Sequence, residues 1–233
     1  MAIFRGKTRR ETRDSGRLEA FSDGVFSVAI TLLVLNIKLP DAASIAQGNS
    51  GIWSFIGSQW LVFSAFLISF ATIGIMWINH HRIFTHIKRT DNTLLILNLL
   101  LLLVIVFIPY PTELLAQSPI KPGLYAPAVV YDATFLLMAI LFNVIWRYAS
   151  YNNRLLDEHV DQKAVWSISA QYLFGPLFYA ITLGLAWVSV PISIAMSAVL
   201  AIFFMLPGKQ LPDDEDDTIR NSVSKDNVVE LEK

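Results

Sequence analysis

The chain contains no cysteine, which excludes disulfides, thiolate metal sites and a cysteine nucleophile and leaves the redox compartment open. Charge is scarce as well. Asp, Glu, Lys and Arg make up 16% of the 233 residues and hydrophobic types 54%, whereas a soluble domain is about 25% charged and about 45–50% apolar. Common catalytic signatures are missing: there is no phosphate loop, nucleophile elbow, His-Glu-x-x-His or pair of carboxylates at enzymatic spacing. No enzyme, resident cofactor or nucleic-acid partner is therefore expected. A Thr-Val-Gly-Tyr-Gly type segment is also absent, which argues against an ion filter built from stacked loop carbonyls.

What the chain has in abundance is apolar sequence, with a mean hydropathy of +0.51. It is gathered into blocks of roughly 20 residues, the length at which a helix rising ~1.5 Å per residue crosses a ~30 Å hydrocarbon core. The lipid bilayer is the solvent this pattern fits. Six helices are expected, over about 17–39, 52–80, 93–108, 124–148, 164–183 and 185–206, the first ending at Pro40 and the third at Pro109-Tyr110-Pro111. The second is long for one crossing, so it should tilt or begin at the interface around Trp53 to Trp60. The turn or kink before the sixth is expected between Trp187 and Pro191. The Gly/Ser/Asn/Ala segment after Pro40 reads as a loop.

These helices form one all-α membrane domain over 17–206. A basic segment, 1–16, precedes it, and a tail, 207–233, containing Asp213-Asp214-Glu215-Asp216-Asp217, follows and is expected to be disordered. The first apolar run is too long for a signal-peptide core and lacks a small-residue cleavage site. Lys and Arg concentrate before helix one, between helices two and three (Arg82, Lys88, Arg89) and between four and five (Arg147, Arg154, Lys163). The positive-inside rule then puts both termini in the cytoplasm.

Asp23, about two turns into the first helix, is costly in a membrane unless paired or wet. Arg17 lies six residues before it, and the second helix ends with Trp77, His80 and His81 on the same side. Arg17, Ser22, Asp23, Trp77 and His80 therefore read first as a polar clasp between two helices. A proton relay through Asp23 and His80 is the functional alternative. A metal site from Asp23, His80 and His81 is disfavoured, because adjacent histidines on a helix point ~100° apart. Further along helix one, Ser27 and Thr31 form a small polar stripe beside an aliphatic one of Val28, Leu32, Leu35 and Leu39. Asn98 within leucines reads as an interhelical hydrogen bond, and Tyr131, Asp132 and Asn143 on helix four are ambiguous.

The segment Arg17-x-x-x-Phe21-Ser22-Asp23-Gly24-Val25-Phe26-Ser27, the Trp77-x-x-His80-His81 end of helix two, and Asn98 followed by leucines up to Pro109-x-Pro111 closely resemble the prokaryotic relatives of the lysosomal potassium channel. The resemblance covers about 17–206. It implies a homotetramer of six-helix subunits in the plasma membrane, with a central pore lined by helix one and permeable to monovalent cations, potassium preferred weakly. It places hydrophobic constriction layers at Val28, Leu32 and Leu35 and a cation-preferring layer at Thr31. Val28 is smaller than the isoleucine or leucine of the family pattern, which shifts the expected narrowest point toward Leu32 or Leu35. Arg17, Phe21, Ser22, Asp23, Trp77, His80, His81 and Asn98 then become a structural network that holds helix one. The alternative is a proton-coupled secondary transporter using Asp23 and His80, and a non-conducting membrane scaffold comes third.

Overall fold

The computed structural model describes residues 15–118, 120–157 and 162–205. The basic segment before Ser15 and the acidic tail lie outside the described residues. The elements are α1 (Gly16–Leu32), α2 (Ala42–Ala46), α3 (Gly48–Ser58), α4 (Trp60–His86), α5 (Asn92–Phe107), α6 (Pro109–Gln117), α7 (Ala126–Ser150), α8 (Gln162–Val188) and α9 (Val190–Met205). Five stretches are long and apolar enough to cross a membrane: Gly16–Asn36, Trp60–His86, Asn92–Gln117, Ala126–Asn153 and Ile168–Val188, with Val190–Phe204 a shorter apolar helix. The protein is thus an all-α membrane protein.

Several boundaries differ from those expected, each for a local reason. The first helix leaves α geometry at Leu33 and finishes as a 3-10 turn, Leu33–Asn36, before the chain extends at Ile37. The expected loop after Pro40 contains two short helices instead. Asp41 caps α2 by accepting a hydrogen bond from the Ser44 N–H at 2.9 Å, and the Ser44 hydroxyl together with that N–H holds its carboxyl below the usual carboxylate range. Gly48, at φ +67°, turns α2 into α3, and Gly51 is required by close approach, since a Cβ there would strike the Ser44 carbonyl oxygen.

The long second helix is two helices, α3 and α4, broken at Gln59, where the side chain serves another part of the fold. Pro109 and Pro111 do not end the third span. They occupy the first turn of α6, where a missing N–H and a fixed φ cost little, so α5, which ends at Phe107 beside the expected boundary, and α6 form one span broken at Ile108. The break before α9 falls at Ser189, inside the expected window, with Pro191 in the first turn of α9.

α7 is the most enclosed span. It packs on α5, α6, α8 and α9, while α1 packs on α4 and α5. Polar side chains join these helices inside the bundle, where each hydrogen bond replaces one that lipid cannot supply. The Ser69 hydroxyl meets Thr112 at 2.8 Å and Tyr131 at 3.0 Å, tying α4 to α6 and α7. Asn143 donates to the Tyr172 carbonyl at 2.8 Å, and Trp146 donates to Ser169 Oγ at 2.8 Å. Ser197 of α9 donates to the buried Asp132 carboxyl at 3.1 Å. At the basic end, Asp91 caps α5 through Leu94 N–H, accepts from Tyr148 at 2.7 Å and lies 3.4 Å from Arg154.

Because Ser69 joins two partners and Tyr131 one, Tyr131→Phe is expected to cost about 0.6 kcal/mol, the mean for such bonds in a membrane bundle, and Ser69→Ala more, up to about 1.7 kcal/mol. Thermal unfolding in detergent measures both. A Ser69→Ala midpoint equal to wild type contradicts the assignment.

Candidate functional site: the two faces of the first helix

The first span, α1 with the 3-10 turn Leu33–Asn36 that continues it and is counted with it from here on, is divided lengthwise. Ser22, Phe26, Ala29, Leu33 and Asn36, at successive spacings of four, three, four and three, are buried, the stripe a helix turns toward a packed neighbour. Phe26 and Leu33 join the core that contains Ile73, Met76, Leu101 and Ile105. The other side carries Ser27, Thr31 and the aliphatic residues Val28, Leu32 and Leu35, which are 55%, 37% and 74% exposed in the subunit. The aliphatic stripe noted in the sequence therefore faces away from its own subunit's core.

A directed hydrogen-bond chain fixes which side turns inward. Ser22 Oγ–H donates to the Leu18 carbonyl at 2.8 Å, so its oxygen accepts from Asn98 Nδ2–H at 2.9 Å. That orients the Asn98 amide, whose Oδ1 faces His80 Nε2 at 3.0 Å. An amide oxygen only accepts, so His80 carries its proton on Nε2. Ser22, His80 and Asn98 are all fully buried. The His80 ring stacks on Phe84 at 4.3 Å between centroids and is flanked by Phe26 at 5.5 Å and Phe142 at 6.3 Å. Its Nδ1 makes no hydrogen bond.

Asp23, the next residue, turns the other way. Its Oδ1 accepts from Trp77 Nε1–H at 2.9 Å on the exposed side of the α1–α4 seam. A groove of about 290 Å³ lined by Asp23, Phe26, Ser27, Ile30, Ile73, Gly74 and Trp77 runs along that seam. The grouped sequence residues thus separate into two sets, Ser22 with Asn98 and His80 inside, and Asp23 with Trp77 outside. Arg17 and Phe21 are exposed and Arg17 makes no ion pair with Asp23 among the described residues. His81 is exposed, one residue around the helix from His80. Among the described residues no three of His, Cys, Asp and Glu come together as a metal site.

At its far end α1 is fastened by groups that sequence reasoning missed. Asn36 Nδ2–H donates to the Pro109 carbonyl at 3.1 Å. Gln59, at the α3–α4 break, accepts from the Lys38 N–H at 3.2 Å and donates to the Lys38 carbonyl at 3.0 Å. The available signal was an uncharged amide in each of two apolar runs.

Residues 17–109 match the family model described as the endosomal/lysosomal potassium channel TMEM175. A potassium channel of Chamaesiphon minutus is 45% identical over 84% of this chain and 96% of its own length. One from Streptomyces collinus is 41% identical over 82% of this chain and 91% of its own. The fold matches the crystal structure of a lysosomal potassium-selective channel TMEM175 homolog from Chamaesiphon minutus with a TM-score of 0.74 at 44% identity, covering 82% of this chain and 96% of that one.

Asn98→Leu leaves the buried His80 N–H without an acceptor and is expected to cost about 1–3 kcal/mol. Trp77→Phe removes a half-exposed bond and is expected to cost less, about 0.5–1.5 kcal/mol. Detergent unfolding midpoints of the two variants rank them, and a larger loss for Trp77→Phe contradicts the assignment.

Proposed function

The chain belongs to the TMEM175 family, and from that premise we propose that it is a potassium channel whose pore is formed where four copies of α1 meet. The relatives that carry the family's potassium-channel names align over nearly their whole length, which supports carrying that activity to this chain. The observation that carries the pore reading is the outward face of α1: Val28, Leu32 and Leu35 stand exposed beside the hydroxyls of Ser27 and Thr31, while the opposite face is bolted to α4 and α5. Four such faces around an axis produce rings of aliphatic side chains. A ring narrower than a hydrated ion excludes water, and an ion cannot shed its shell there without replacement oxygens.

Thr31 is suited to supply such oxygens. Its hydroxyl hydrogen is engaged by the backbone carbonyls of Ser27 at 3.0 Å and Val28 at 2.9 Å, so the oxygen lone pairs remain for a partly dehydrated cation. Four hydroxyls make a weaker field than a cage of carbonyls, in keeping with weak selectivity for potassium. The Ser22–Asn98–His80 chain and the Asp23–Trp77 bond hold α1 at the angle that sets the ring diameter, and opening is a tilt or rotation of α1. In this reading α9 completes six crossings, both termini are cytoplasmic and the membrane is the plasma membrane, in accord with the basic segments.

The transporter alternative uses Asp23 and His80 as proton carriers. Asp23 of α1 bonds Trp77 at the exposed seam, whereas His80 of α4 bonds Asn98 inside the bundle, and the imidazole is enclosed by the rings of Phe84, Phe26 and Phe142.

Purified protein reconstituted into liposomes under a potassium gradient, with sodium and impermeant-cation controls, tests the channel. Fast potassium flux is expected, raised several-fold by Leu35→Ala, which shortens the most exposed ring. Absence of flux from both correctly assembled proteins overturns the proposal.

A further inference from the structure

Where α1 ends, two opposite charges are held apart on one rim. Lys38 is exposed and follows Leu35 and precedes Leu39, which are 74% and 86% exposed. Its backbone cannot drift, because the buried Gln59 amide bonds both its N–H and its carbonyl. Its Nζ donates to Gln117 Oε1 at 3.0 Å, and the same amide's Nε2 donates to Glu113. Tyr110, Glu113 and Gln117 form an exposed ridge of α6 at spacings of three and four, and the Asn36 bond to the Pro109 carbonyl locks that ridge beside the end of α1. One neutral amide therefore stands between ammonium and carboxylate, and both are fixed in place.

We infer that Lys38 and Glu113 set the cation concentration at this mouth of the pore, Lys38 lowering it and Glu113 raising it. The inference rests on the reading of α1 as the pore helix, which makes the far end of α1 the outer entrance and repeats each charge four times around it. Rings of charged side chains at a mouth attract or repel permeant ions according to sign. Because Gln117 separates the pair, removing either charge uncovers the other.

Four unit charges at roughly 10 Å in water change the local cation concentration about two- to threefold at 0.1 M salt, where the Debye length is ~10 Å. At 1 M the Debye length is ~3 Å and the effect disappears. The distinction between an electrostatic and a structural role is therefore a matter of salt.

Single-channel currents of the full-length protein in planar bilayers, in symmetric potassium chloride at 0.1 and 1 M, test this. Potassium current entering from this mouth is expected to rise about two- to threefold at 0.1 M in Lys38→Gln and to fall by a similar factor in Glu113→Gln. Lys38→Arg keeps the charge and is expected to match wild type, and all four proteins should converge at 1 M. Unchanged currents at 0.1 M in both neutral variants overturn the inference, as do changes of equal size at both salts. Leu35→Ala, measured alongside, separates the two readings. If it raises the current while Lys38→Gln and Glu113→Gln do not alter it, the charge inference alone fails. If Leu35→Ala has no effect on a conducting channel, the pore reading fails.

Discussion

A hydroxyl, an amide and an imidazole enclosed where lipid offers no hydrogen bonds must satisfy one another, and the Ser22–Asn98–His80 chain is that constraint made structural. Each member has one role open to it. Ser22 spends its proton on the Leu18 carbonyl, Asn98 must then present its N–H to Ser22 and its oxygen to His80, and His80 must hold its proton on Nε2. The chain crosses from α1 through α5 to α4, so it sets the rotation of α1 about its own axis as well as its position.

Rotation decides what the helix shows outward. With Ser22 inward, the stripe of Phe26, Ala29 and Leu33 follows it into the core, and Asp23 is carried to the seam where Trp77 receives it. Turning α1 by one residue would bury Asp23 and take the Ser22 acceptor away from the Asn98 N–H, at a cost of about 1–3 kcal/mol for the unpaired amide and more for a buried charge. The face bearing Val28, Thr31, Leu32 and Leu35 is thereby left free of the subunit. At the other end Asn36 and Lys38 are fastened to Pro109 and Gln59, so α1 is held at both ends with its middle carrying the proposed constriction.

Much of this was legible in the residues. Blocks of apolar sequence announced the helices, and Arg17-x-x-x-Phe21-Ser22-Asp23 identified the family in which the chain belongs. Asn98 stood out because a single amide among leucines needs a partner across a helix interface, and it has two. The grouping of Asp23 with Ser22 and His80 was less accurate, since adjacent residues on a helix project about 100° apart and only the packing of α4 and α5 shows which turns inward. Pro109 and Pro111 looked like a stop because a proline cannot continue a helix it sits within. Nothing local distinguishes that case from a proline in the first turn of the next helix. The Gln59 clasp on Lys38 joins residues 21 apart in the chain through a backbone pairing, which side-chain periodicity does not encode.

The absence of cysteine makes the central claim directly measurable, since any introduced thiol is unique in the chain. Single cysteines at Thr31 and Leu35, and at Ala29 and Leu33 on the opposite face, are treated in liposomes with a small, positively charged thiol reagent while potassium flux is followed. Such a reagent attacks only thiolates that reach water. The account predicts block of flux at Thr31 and Leu35 and none at Ala29 and Leu33. Block confined to Ala29 and Leu33, or at none of the four in conducting channels, would contradict the placement of the pore on this face of α1.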